Sequence, residues 1–182
     1  HDFLSAAALL LDADPTLQVV APMANAHARA AFERVLATHP QAASLASRVR
    51  TVDGHARTLM VASDVVLLAS GTATLEALLA KRPMVVAYKV AASTYALVRG
   101  LGLLKVDNVA LPNVLAGGRV VPELMQHDCT PRNLADAVQG WLADPDAVAA
   151  LQPRFRAIHE TLRRDASAQA ADAVLDLLAD RG

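Results

Sequence analysis

Two rhythms of apolar residues alternate along the chain. Short β-branched runs read as buried strands, and stretches with apolar positions three and four apart read as helices. The first helix runs from Asp2 to about Leu11, and Asp12-Ala13-Asp14-Pro15 ends it. Leu17–Pro22 predicts a strand. Asn25 caps a helix to His39, in which Ala28, Ala31, Phe32, Val35 and Leu36 share one face. Ser47–Asp53 alternates as a strand, and His55–Ser63 is a short helix. Asp64–Ser70 carries apolar residues on both faces, as a buried parallel strand requires. A helix from about Thr72 to Ala80 precedes the strand Pro83–Tyr88. Ser93–Leu104 predicts a helix, and Asn108–Asp128 a strand, a long loop and a short helix. Helices at Pro131–Leu142, Ala147–Arg164 and Ser167–Ala179 follow, with breaks at Asp144-Pro145 and Asp165-Ala166-Ser167. Repeated strand–helix alternation predicts an α/β fold: a Rossmann-like, doubly wound parallel sheet with a helical C-terminal tail.

Composition narrows the picture further. With 182 residues, 54% of them hydrophobic, there is material for one domain with a substantial core. Aromatics are only 3%, so Ala, Val and Leu must build that core. A formal net charge of −1 argues against a broad electrostatic surface for nucleic acid. Cys129 is alone, so no internal disulfide forms. No apolar run approaches the ~18–20 residues that span a bilayer. The N-terminal stretch has an acid at Asp2 and no basic region, so it does not read as a signal peptide. A helix beginning at once, with no strand before it, suggests a piece of a longer protein.

The chemistry concentrates in one stretch, Leu67–Tyr88. Ser70-Gly71-Thr72-Ala73-Thr74 joins a strand to a helix, where an open α/β sheet binds its ligands. A helix N-terminus offers free N–H groups and about half a positive charge. Small residues let an anion approach them, and hydroxyls add donors, so a phosphate site is one reading. A plain turn-and-cap is the other. Neither GxGxxG nor GxxxxGK[ST] occurs. Glu76 lies one residue too far along for a capping box with Thr72. It is placed either to accept hydrogen bonds from ribose hydroxyls beside a diphosphate or simply to sit in the helix dipole.

The segment ASDVVLLASGTATLEALLAKRPMVVAYK resembles the nucleotide-sugar half of a GT-B glycosyltransferase, and more closely the lipid-A-disaccharide synthase family. Leu111–Pro131 (LPNVLAGGRVVPELMQHDCTP) is similar to that family's most diagnostic stretch. Val19–Val35 and Arg164–Leu178 also match, so the resemblance covers nearly the whole chain in order. It implies the C-terminal, UDP-sugar-binding domain of an enzyme with two facing Rossmann-like domains, spanning residues 1–182 here. The implied reaction transfers diacylated glucosamine from UDP to an acylated glucosamine 1-phosphate, with no metal and no organic cofactor.

Carried onto this sequence, the resemblance assigns the diphosphate to Ser70, Gly71, Thr72, Ala73 and Thr74, and the ribose to Glu76. Asn113, Arg119, Glu123 and Gln126 fall at the cleft. The implied partners are the acylated UDP-sugar donor, the absent N-terminal domain and a membrane surface on the cytoplasmic side of the inner membrane, with no nucleic acid. A homodimer stays open. The acceptor side and its acid belong to the absent N-terminal domain, and a Gly-Ser-Arg phosphate loop expected just before the start is also absent, so this chain alone is expected to be inactive. The pattern also differs by two extra residues around Gly100–Leu104. Another GT-B enzyme, such as a UDP-GlcNAc epimerase or a peptidoglycan transferase, shares the SG…E element, and a noncatalytic nucleotide-binding module remains a third reading.

No residue reads as a catalytic base. The six histidines show no metal-binding spacing, and His127 with Cys129 reads as a surface loop. Arg119 suits pairing with phosphate or carboxylate through its planar fork, or is an exposed loop residue. Asn113 after Pro112 reads equally as a turn residue. Tyr88–Lys105 mixes apolar residues with Lys89, Arg99 and Lys105 and reads as a packed helix or as a contact with lipid headgroups.

Overall fold

The computed structural model describes residues 1–69, 71–90 and 108–179, with the side chains of Ala166 and Ala179 excepted. Ser70, the expected helix Ser93–Leu104, the extra residues near Gly100–Leu104 and most of Tyr88–Lys105 lie outside the described residues. The elements are α1 (Asp2–Ala13), β1 (Val19–Met23), α2 (Ala26–Ala37), α3 (Ala42–Arg48), β2 (Val49–Asp53), α4 (Ala56–Ala62), β3 (Val66–Ala69), α5 (Thr72–Leu79), β4 (Met84–Tyr88), α6 (Leu111–Leu115), β5 (Glu123–Met125), α7 (Pro131–Ala143), α8 (Pro145–Leu162) and α9 (Ala166–Ala179).

Among the described residues the strands form two parallel ladders, β1-β2 and β3-β4-β5. Val19 lies opposite Val49, Val66 opposite Met84, and Val86 opposite Glu123. β4 shows why the fold is doubly wound. Its side chains alternate, so Met84 and Val86 face one core and Val85 and Ala87 the other. The first core contains Leu78 of α5 and Leu151, Phe155 and Ile158 of α8. The second contains Ala6 and Leu10 of α1 with Leu134, Ala135 and Val138 of α7. A third core packs Leu4, Ala7, Ala8 and Leu11 of α1 on Leu45 and Val49, with Phe32, Val35 and Leu36 half-buried beside them. Residues such as Phe155 and Leu134, both fully buried, each contribute roughly 1.5–3 kcal/mol of burial.

Local signals explain the helix boundaries. Asn25 Oδ1 accepts from the Ala28 N–H at 2.8 Å, as expected of the cap. Thr130 and Asp144 cap α7 and α8, each followed by a proline at the first helical position. Three expectations need correction. Ala42–Arg48 is helical, so β2 begins at Val49 rather than Ser47. The 108–128 segment places its helix first, at Leu111–Leu115, and its strand last, because Pro112 favours a helix start and Pro122 immediately precedes β5. Cys129 is buried against Val85, Ala87 and Leu134 rather than in a surface loop, although His127 is exposed. Burial pushes the Cys129 thiol up, which keeps it protonated and unreactive.

The α5–β4 connection is a Schellman turn: Lys81 N–H donates to Leu78 O at 3.0 Å and Arg82 N–H to Ala77 O at 3.1 Å. Lys81 adopts φ 60, a left-handed conformation suited to glycine. Burial also holds its ammonium below the ordinary lysine value, so charge at this point is disfavoured. Lys81→Gly is therefore expected to raise stability by about 0.5–1 kcal/mol. A loss in urea unfolding would show that the contacts of Lys81 Nζ with His159 and the Leu78 and Leu79 carbonyls outweigh the backbone gain.

Candidate functional site

Because every strand runs the same way, their carboxyl ends share one edge of each ladder. On the β3-β4-β5 ladder that edge carries the turn into α5, the exit of β4 at Tyr88 and Lys89, and the end of β5 at Gln126. Gly71 is the residue before α5, with φ 141 and ψ −163, a combination open essentially to glycine alone. An added Cβ there would meet nothing within 4 Å. Gly71 and Thr72 are exposed and Ala73 is half-buried, so no side chain plugs this corner among the described residues. The first N–H groups of α5 have no intrahelical acceptor, and the positive end of the helix dipole lies there.

The hydroxyls of this turn divide. Thr74 is fully buried and its Oγ1 donates to Gly71 O at 2.7 Å, which fixes the turn from inside. Thr72 stays exposed on the surface of the turn. Glu76 is exposed one turn further along α5, and its carboxylate has no hydrogen bond or ion pair among the described residues.

The second group of expected residues is built differently. Asn113 has no exposed surface and uses its whole hydrogen-bonding capacity. Its Oδ1 accepts from the Val120 and Val121 N–H groups at 2.8 and 3.0 Å. Its Nδ2 donates to Val121 O at 3.1 Å and to Glu123 Oε2 at 3.0 Å. The buried Glu123 carboxylate also accepts from the Val109 and Ala110 N–H groups, at 2.7 and 3.0 Å on Oε1. These two side chains thus face inward and lock the 109–123 segment, whose helix α6 packs against α5.

Arg119 joins the lock with one nitrogen, Nη2 donating to Glu123 O at 2.6 Å, and remains exposed beside an open depression formed by Arg119–Pro122. Gln126, at φ 48, ties two strand ends together: its N–H donates to Tyr88 O at 2.9 Å, and its Oε1 accepts from the Val90 N–H at 3.0 Å.

Two features of this edge were not read from the sequence. Tyr88 is 38% exposed at the end of β4, which the uniformly apolar run Pro83–Tyr88 concealed. Lys89 Nζ donates to Asp2 Oδ2 at 2.6 Å, and that hydrogen bond raises the lysine above its ordinary value. Their separation along the chain leaves no sequence signal for the pair. Among the described residues, no three His, Cys, Asp or Glu side chains gather closely enough to hold a metal ion.

A parallel α/β arrangement covered on both faces, with an open glycine turn at the carboxyl edge, defines the class: a Rossmann-like α/β domain. A family model described as lipid-A-disaccharide synthetase matches residues 1–176. The chain belongs to that family. It is 56% identical over 180 residues to the lipid-A-disaccharide synthase of Xanthomonas axonopodis pv. citri, covering 98% of this chain and 40% of that protein. It is 49% identical over 183 residues to the lipid-A-disaccharide synthase of Xylella fastidiosa strain M12, covering 100% of this chain and 46% of that protein. The chain therefore spans less than half the length of these curated relatives. No helix among the described residues is long and apolar enough to cross a membrane.

Proposed function

We propose that this chain is the C-terminal, nucleotide-sugar-binding half of a glycosyltransferase that joins UDP-2,3-diacylglucosamine to 2,3-diacylglucosamine 1-phosphate, forming the lipid A disaccharide and releasing UDP. The observation that carries this reading is the open turn at Gly71, set at the amino end of α5 on the carboxyl edge of the sheet, in a chain of this family. The diphosphate sits over the Ser70–Thr74 turn, held by the N–H groups of α5 and the Thr72 hydroxyl. Negative charge developing on the leaving diphosphate meets donors already in place, which need not reorganise during transfer. Glu76, one turn along, accepts from the ribose hydroxyls. Asn113 and Glu123 hold the neighbouring segment in shape, Arg119 turns its remaining nitrogens toward the cleft, and Gln126 fixes the ends of β4 and β5.

The base that takes the acceptor's proton and the acceptor site come from the partner domain, so the whole protein turns over and this half alone does not. Its acylated substrates place the enzyme peripherally at the cytoplasmic face of the inner membrane. Glu76→Ala in the full-length protein is expected to weaken UDP binding by about 1–3 kcal/mol, roughly 5- to 150-fold, in calorimetric titration. Equal affinity for variant and parent removes the ribose role.

A further inference from the structure

We propose that Lys89 is a further ligand of the donor's diphosphate, held by Asp2 in the free protein and passed to the phosphate oxygens when the nucleotide binds. This role rests on the nucleotide reading of the Gly71 turn and adds a cation to it. Register sets the two positions together. β3 and β4 pair in parallel, with Ala69 opposite Ala87. Gly71 and Lys89 each lie two residues further on, at neighbouring strand exits on the carboxyl edge, where adjacent strands stand about 4.8 Å apart. The four-carbon stem of a lysine spans a gap of that order.

Alternation along β4 decides which side the lysine serves. Met84 and Val86 face the core that holds Leu78 of α5, whereas Val85 and Ala87 face the core that holds Ala6 and Leu10 of α1. Lys89 continues the second set, and its ammonium meets Asp2 at the start of α1. The amino end of α5 therefore lies on one side of the sheet edge and Lys89 on the other. An anion resting over the edge meets helix amides from the first side and an ammonium from the second.

The Asp2 contact has the character of a holding position. Both side chains are exposed, by 47% for Lys89 and 36% for Asp2, and an exposed pair of this kind stabilises a fold little. Asp2 also lies in the first turn of α1, where the helix dipole supports a carboxylate with or without a lysine. The hydrogen bond to Asp2 raises Lys89 above its ordinary value, so the side chain stays an ammonium near neutral pH. A diphosphate offers that ammonium more charge and more acceptor oxygens than one carboxylate does. The exchange takes place as the nucleotide binds, so the α5 amides that meet the leaving group stay fixed during transfer.

The test is calorimetric titration of the full-length protein with UDP at one fixed ionic strength. Lys89→Gln is expected to bind UDP about tenfold more weakly than the parent. Asp2→Asn is expected to bind it about two- to fivefold more tightly, because the lysine is no longer held back. A purely structural ion pair predicts no such opposition of sign. The double variant should match Lys89→Gln alone, since Asp2 acts only through the lysine. An Asp2→Asn affinity at or below the parent's overturns the proposal. A gain from Asp2→Asn that persists in the double variant overturns it too, because Asp2 then merely repels the anion. Binding by the parent with unaltered affinity in Lys89→Gln overturns this assignment alone. A parent that does not bind UDP overturns the nucleotide reading and this role with it, so the two failures are told apart.

Discussion

Replacing Asn113 by alanine is expected to lower the unfolding free energy by about 3–5 kcal/mol, a loss at the top of the range for single substitutions. The size follows from what the truncation abandons. The Val120 and Val121 N–H groups lose their acceptor, and Val121 O and Glu123 Oε2 lose a donor, all at a position with no exposed surface. Each buried orphan costs about 1–3 kcal/mol, and local relaxation returns part of the sum. The network is also directional. Asn113→Asp keeps an oxygen for the two N–H groups but turns a second oxygen on the Glu123 carboxylate, so it should be no milder than alanine. Urea unfolding of the full-length protein measures both. A loss below about 1 kcal/mol for Asn113→Ala would mean that water replaces the amide and that the segment is not locked from within.

Gly71→Ala is expected to weaken UDP binding to the full-length protein about 100-fold, near 2.7 kcal/mol, with a comparable fall in kcat/KM. Space is not the obstacle, since the new Cβ meets nothing within 4 Å. The obstacle is the backbone: at φ 141 and ψ −163 an L-residue is strained by roughly 1–3 kcal/mol and relieves that strain by rotating the turn. Rotation re-aims the first N–H groups of α5 and disturbs the Thr74 hydroxyl bonded to Gly71 O. Gly140→Ala provides the comparison. Its Cβ also meets nothing within 4 Å, but it lies inside α7 without a positive φ, so it should leave binding unchanged. Unaltered UDP affinity in Gly71→Ala would move the phosphate away from this turn.

Much of this was legible in the sequence because it is written locally. Period-two and period-3.6 patterns announced the alternation of strands and helices, Asn25 and Asp144-Pro145 marked boundaries, and the small-residue turn before Glu76 stood out by composition. What stayed hidden depends on partners distant in sequence. Leu45 is the single buried anchor of α3, too little periodicity for a seven-residue helix to declare itself. Asn113 looked like a turn residue because its partners lie seven to ten residues ahead, across two glycines. Cys129 looked like a loop residue beside His127 because nothing local shows that it faces Val85 and Ala87. The division of the strands into two ladders could not be read from the strand patterns, since pairing depends on which strands are neighbours in space.

The wide separation in sequence between β4 and β5 bears on the order in which the domain assembles. β5 meets β4 only once the intervening residues bring it alongside, and that closure must be accomplished before any bond between the two strands contributes. β3 and β4, linked by a single short helix, can zip early. The bonds of the Asn113–Glu123 lock join residues near one another in sequence, so this segment can be held in shape without waiting for β5 to reach β4. The edge beside the Gly71 turn is then completed when β5 docks, bringing with it a segment clasped around an amide that has no exposed surface.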